Sequence, residues 1–163
     1  MSIDVQEAIK RSIQTEKNAM HYYQYGSQRM KDPAAKKTFE LLAREEREHA
    51  GHFHRIYKGS DIPSLDAFLN TPFDNESGWL AAITKDIGED FNEQKAMEVA
   101  MEKEQHLEIA LRDAAEKMSD PEVRAVYELN VRETHNHYLL IESEYARLMG
   151  MVHETDMDIY VRE

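Results

Sequence analysis

Hydrophobic residues recur along the chain at spacings of three and four residues, the period of one face of an α-helix. Four long stretches carry this pattern and predict helices over about residues 4–31, 33–57, 91–118 and 121–149. Asp32-Pro33 and Asp120-Pro121 each place an acidic N-cap before a proline at the first helical position, the favoured order at a helix start. The pattern predicts an all-α protein.

The first and last pairs of predicted helices resemble each other. Residues 8–49 align without gaps with residues 96–137 at a constant offset of 88, and ten positions are identical, His49 and His137 among them. We infer a duplicated helical hairpin, which makes the chain a four-helix bundle with a long crossover. The predicted single domain, 1–163, contains a hairpin at 4–57, a crossover at 58–90 with a short helix near 79–85, a hairpin at 91–149 and a tail at 150–163.

Composition narrows the function. The 163 residues include 32 acidic and 20 basic side chains, and the net charge of -12 disfavours nucleic-acid binding. The chain has no cysteine, which excludes disulfides, iron–sulfur clusters and thiolate metal sites. Its apolar runs are far shorter than a membrane span, and its N-terminus lacks a targeting signal, so we expect no membrane association and a cytoplasmic location.

The predicted inner faces of the four helices carry polar side chains near their middles. These residues are Glu16, Glu46, His49, Glu104 and His137. A buried carboxylate needs compensation, and neighbouring inner positions hold no Lys or Arg, so a bound cation is the simplest solution. Glu and neutral His are donors that first-row metals accept, and Glu46 and His49 lie one helical turn apart. Glu-x-x-His alone arises often by chance in an acidic helical chain; the matching heights of all five residues favour a metal site.

These residues and the repeated hairpin resemble the ferritin-like di-iron carboxylate proteins, and within them the rubrerythrin family, over most of residues 5–149. The resemblance implies a homodimer of four-helix bundles that binds two irons and reduces peroxide or oxidises ferrous iron. Carried over to this chain, it implies a ligand from each of the first and third helices, two from the second and a histidine from the fourth. In that order the ligands are Glu16, Glu104, Glu46 with His49, and His137.

The chain departs from the family pattern in three places. Thr134 occupies the carboxylate position of the fourth helix, leaving three carboxylates for two ferrous ions unless Glu133 or Glu108 turns inward. Met101 and Leu107 stand where the family often has an extra glutamate. Without the cysteines of a rubredoxin domain, the electrons require a separate donor. The site is then a dinuclear centre with a shifted ligand, a single-metal site for iron or another first-row metal, or a degenerate site.

Three functions follow from these observations. The first is a non-haem iron oxidoreductase, a peroxidase or ferroxidase in which Glu16, Glu46 and Glu104 act through the metal. The second is a non-catalytic metal-binding or metal-handling protein. The third is a helical assembly module with a vestigial site. Metal content separates the first two from the third, and peroxide turnover with a reducing donor separates the first from the second.

Overall fold

Five helices make up the part of the chain that the computed structural model describes, residues 4–72 and 91–152. They are α1 (Val5–Arg29), α2 (Pro33–Ile56), α3 (Leu65–Leu69), α4 (Glu93–Glu116) and α5 (Pro121–Val152). These residues contain no strand, which confirms the predicted all-α class. None of the described helices is both long enough and apolar enough to pass through a membrane.

Side-chain caps fix where the long helices begin. Asp4 accepts a hydrogen bond from the backbone N–H of residue 7, Asp32 from that of residue 35 and Asn92 from that of residue 95. The carboxylate of Asp120 accepts from the backbone N–H of residue 122. Each cap satisfies a backbone donor that has no partner within the helix. The helix starts predicted at the two Asp-Pro pairs are confirmed.

Apart from shifts of one or two residues at helix ends, the observed elements differ from the predicted ones in two places. The short helix α3, capped by Ser64, was not predicted, because five residues are too few to show a helical period. Helix α5 continues to Val152 and so includes the first residues of the predicted tail. The short helix predicted near 79–85, and the rest of the tail, lie outside the described residues.

Short connections make α1 and α2 one antiparallel hairpin and α4 and α5 another, and the two hairpins pack mainly through α2 and α5. Apolar side chains form two clusters along the bundle. One cluster contains Tyr22, Tyr23, Phe39, Leu42 and Met97, and the other contains Ile9, Ile13, Phe53, Leu111 and Tyr127. Buried polar side chains lie between these clusters, at the middle of the long helices. We call them the donor layer: Glu16, Glu46, His49, Glu104, Thr134 and His137.

Gly26 of α1 lies directly against the ring of Phe39 of α2. A Cβ atom on Gly26 would lie 2.5 Å from Cδ2 of Phe39, whose fully buried ring packs edge-on against Tyr23 at 5.1 Å between centroids. An alanine would therefore force the ring into its neighbours. Overpacking of this kind costs about 1–3 kcal/mol.

We expect Gly26→Ala to lower the free energy of unfolding in urea, because the overpacking exceeds the gain in helix propensity of about 1 kcal/mol. Gly150 is the matched control, since a Cβ there would meet nothing within 4 Å. Gly150→Ala receives the same helical gain without the clash and is expected to stabilise the protein. Equal stability of the two variants would contradict the close contact.

Candidate metal centre

All five metal ligands predicted from the sequence lie in the donor layer. Glu16 comes from α1, Glu46 and His49 from α2, Glu104 from α4 and His137 from α5. Each side chain is at most 3% exposed. The predicted inner faces and the matching heights therefore agree with the structure, and four helices contribute donors to one small volume.

The two ring nitrogens of His49 have different neighbours. Nδ1 faces the layer and lies 3.7 Å from Oε2 of Glu16 and 3.7 Å from Oε2 of Glu46. Nε2 points outward and lies 2.7 Å from Oε2 of Glu133, a partly exposed side chain of α5. Glu133 thus contacts the outer nitrogen of this imidazole, on the side away from the carboxylates of the layer.

His137 repeats this arrangement from the other hairpin. Its Nδ1 lies 2.8 Å from Oε1 of Glu46 and 3.8 Å from Oε1 of Glu104, while Nε2 lies 3.5 Å from Oε1 of Glu45. The two imidazoles stack at 4.8 Å with 17° between their planes. Since residues 45 and 133 are related by the repeat offset of 88, each hairpin supplies a carboxylate to the outer nitrogen of the other hairpin's histidine.

Most donor atoms inside the layer have no hydrogen-bond partner. These atoms are both carboxylate oxygens of Glu16 and of Glu46, Oε2 of Glu104, and Nδ1 of His49 and of His137. Even the 2.8 Å approach of His137 to Glu46 lacks the angles of a hydrogen bond. Buried polar atoms normally have hydrogen-bond partners, and leaving them without partners costs free energy. Glu46, His49 and His137 each offer a donor atom within 4.8 Å of the others, a group that fits a metal ion.

The metal-free layer balances its charges with protons. Burial lowers the pKa of His49, but the carboxylates of Glu16 and Glu46 outweigh burial and raise it to about 11. The pKa of His137 is raised as well, because Glu104, Glu45 and Glu46 outweigh its burial. At neutral pH both imidazoles are therefore cationic when no metal is bound.

The buried carboxyl groups divide into two kinds. Burial and the charge of Glu46 raise the pKa of Glu16 well above its ordinary value, and the same two causes raise that of Glu104. Burial opposes ionisation of Glu46 too, yet the neighbouring Glu16 carboxyl and the imidazole of His137 bring its pKa well below the ordinary value. Glu46 is thus the permanent anion at the centre of the layer.

Two contacts of the site were not predicted from the sequence. The hydroxyl of Tyr23 donates a 2.6 Å hydrogen bond to Oε1 of Glu104. The carboxylate of Glu45 lies 3.5 Å from Nε2 of His137. Both contacts have a signal in the sequence, because Tyr23 lies one heptad after Glu16 on the same inner face, and Glu45 aligns with Glu133 in the repeat.

Thr134 lies inside the layer, where the repeat places it opposite Glu46. Its side chain is fully buried, and Oγ1 has no hydrogen-bond partner. Glu108, the other carboxylate considered as a replacement, is engaged elsewhere: it lies 2.8 Å from Nδ1 of His135 and 2.8 Å from Nη2 of Arg112. The fourth long helix therefore contributes a histidine and a hydroxyl to the layer, but no carboxylate from position 134.

A family model described as Rubrerythrin matches residues 7–145. The match runs from the first turn of α1 to most of α5 and includes every residue of the donor layer. No curated protein and no solved structure matches the chain.

We expect metal binding at pH 7 to release at least two protons, one from Nδ1 of each imidazole, because a protonated nitrogen cannot bind a metal. The affinity should rise with pH by about one logarithmic unit per pH unit for each proton displaced. Titration calorimetry with ferrous iron under anaerobic conditions, in buffers of different ionisation enthalpy, counts these protons. His49→Ala should release one fewer, and a heat of binding that is independent of the buffer would refute the protonated layer.

Proposed function

Since the chain belongs to the rubrerythrin family, we propose that it is a non-haem iron oxidoreductase that reduces peroxide with electrons from a separate donor. The observation that carries the proposal is the set of seven buried carboxylate and imidazole atoms without hydrogen-bond partners. A vestigial site is disfavoured, because unpartnered polar atoms in a core cost free energy that apolar replacements would avoid.

The residues of the layer suit a pair of metal ions. His49 and His137 each supply one inner nitrogen, Glu16 and Glu104 each lie beside one of them, and Glu46 approaches both. Bound there, iron would supply the one-electron redox steps that protein side chains of this kind lack. The chain's own task is to hold these donors together and keep bulk water away from them.

Several side chains fix the donors in position. We infer that Glu133 and Glu45 orient the imidazoles through Nε2, which leaves Nδ1 to the metal; carboxylate partners of this kind commonly set the tautomer of a ligating histidine. Tyr23 holds one oxygen of Glu104 and leaves the other without a hydrogen-bond partner. The apolar clusters on both sides exclude water and limit the motion of all these groups.

Ferrous iron as the substrate is the second candidate, and Thr134 is the observation that favours it. Without a carboxylate at this position the layer holds at most three negative charges, from Glu16, Glu46 and Glu104, against four positive charges of two ferrous ions. We therefore propose that one ion binds tightly and the other weakly. A weakly held ferrous ion is suited to be oxidised and released.

We expect Thr134→Glu to strengthen binding of the second metal, because it restores an anionic ligand beside His137. Peroxide reduction should rise with the occupancy of the second position if peroxide is the substrate. If ferrous iron is the substrate, the variant should instead retain its iron and oxidise less of it per site. Iron titration and steady-state consumption of peroxide with a reducing donor, measured on the same preparations, separate these outcomes; turnover no greater than that of free iron would refute both.

Glu133→Gln and Glu45→Gln form a matched pair of variants. Each removes a charge from the outer nitrogen of one histidine, and each is expected to weaken metal binding by about 10- to 100-fold without abolishing it. Complete loss of one metal in Glu133→Gln alone would show instead that Glu133 is itself a ligand. In that case Thr134→Glu should change little.

A further inference from the structure

The donor layer has two halves related by the repeat, one with Glu16 beside His49 and the other with Glu104 beside His137. These halves differ at one further pair of positions. Tyr23 of α1 donates to Glu104 of α4, and the repeat offset of 88 relates these residues to Leu111 of α4 and Glu16 of α1. Leucine has no hydroxyl, so the hydrogen bond present in one half has no counterpart in the other. Both carboxylate oxygens of Glu16 are without a hydrogen-bond partner.

A cavity of about 330 Å³ lies between α1 and α4 at this position. Glu16 and Leu111 both line it, and Glu16 is also part of the donor layer, with a side chain that is only 1% exposed. The cavity therefore leads to a buried carboxylate whose oxygens lack a partner. In the other half of the layer, the bulk and hydroxyl of Tyr23 occupy the equivalent place beside Glu104.

The lining of the cavity combines an apolar wall with three exposed charged residues, Arg11, Asp113 and Lys117. Helix α4 contributes Leu107, Leu111 and Ala114 along one face. The polar pair in the wall is self-satisfied, since the hydroxyls of Ser12 and Tyr127 lie 2.8 Å apart. Such walls provide contact area for a hydrocarbon group and few free hydrogen-bonding groups for a small polar molecule.

The volume of the cavity is larger than hydrogen peroxide requires. Hydrogen peroxide has two heavy atoms and is only a little larger than a water molecule, whose share of the liquid is about 30 Å³. The cavity is several times larger and falls in the range of small-molecule pockets, about 300–1,000 Å³. At its rim, Lys117 is paired with Asp113 at 2.9 Å, and the remaining charged residue, Arg11, is exposed to solvent.

We propose that this cavity binds an uncharged organic hydroperoxide. Its hydrocarbon body lies against Leu107 and Leu111, and its peroxide group reaches the donor layer beside Glu16. The inference deepens the proposed function, on which it rests, by naming the substrate class. In the reaction the O–O bond breaks, two electrons from the separate donor and two protons are consumed, and the products are one alcohol and one water.

The direct test is to give the second half of the layer the tyrosine of the first. Leu111→Tyr would fill the cavity and place a hydroxyl beside Glu16, and Ala114→Phe fills the cavity without adding a hydroxyl. Ala125→Phe, on the exposed face of α5, is the control for the added ring. We expect both filling variants to lower kcat/KM for cumene hydroperoxide relative to kcat/KM for hydrogen peroxide by at least about tenfold, while the control leaves the ratio unchanged.

Binding of the product alcohol supplies a readout that does not depend on turnover. Cumyl alcohol should raise the melting temperature of the wild type and of Ala125→Phe, and should lose this effect in both filling variants. Absence of binding to the wild type would overturn the proposal, as would a ratio of the two specificity constants that does not change in either filling variant. If neither peroxide is turned over, but the alcohol stabilises the wild type and not the filling variants, the peroxidase proposal fails while the assignment of the cavity stands.

Discussion

Charge balance among buried side chains is the constraint on which the rest of the bundle depends. Three carboxyl groups and two imidazoles lie between two apolar clusters, and an ionised group taken out of water costs several kcal/mol unless it is compensated. Protons provide the compensation in the metal-free protein, where the carboxylates of Glu16 and Glu46 raise the pKa of His49. A metal ion provides it in the loaded protein. The same side chains therefore bind protons in one state and a metal ion in the other. Because the metal displaces those protons, its binding depends on pH.

Duplication of a helical hairpin explains how so many donors meet in one layer. A single hairpin supplies a glutamate, a histidine and a carboxylate four residues before that histidine, and the second hairpin crosses it so that each outer carboxylate contacts the other's imidazole. The two copies have since diverged inside the layer. Thr134 replaces the counterpart of Glu46, and Leu111 replaces the counterpart of Tyr23. These two differences remove a carboxylate beside His137 and leave a cavity beside Glu16. They form the physical basis of the functions proposed.

The helices, their starts at Asp-Pro and the five inner donors were predictable, because helical period, capping chemistry and the cost of buried charge all act over a few residues. Contacts between hairpins were not, since they depend on how two helices rotate against each other. The sequence left open whether Glu133 turns inward; its position on the outer nitrogen of His49 follows from the packing of α2 against α5. Nor did periodicity indicate that Leu111 borders a cavity, because a leucine on an inner face ordinarily signals filled core. The homodimer, the cytoplasmic location and the identity of the metal stay predictions.

Anomalous X-ray diffraction at the iron absorption edge, from crystals grown anaerobically with ferrous iron, tests the central claim most directly. The account predicts anomalous density inside the donor layer, within coordination distance of Nδ1 of His49 or His137, and higher occupancy at one position than at the other. Density on the outer side, among Glu45, Glu133 and Nε2 of the histidines, with none between the inner nitrogens and Glu46, would contradict it.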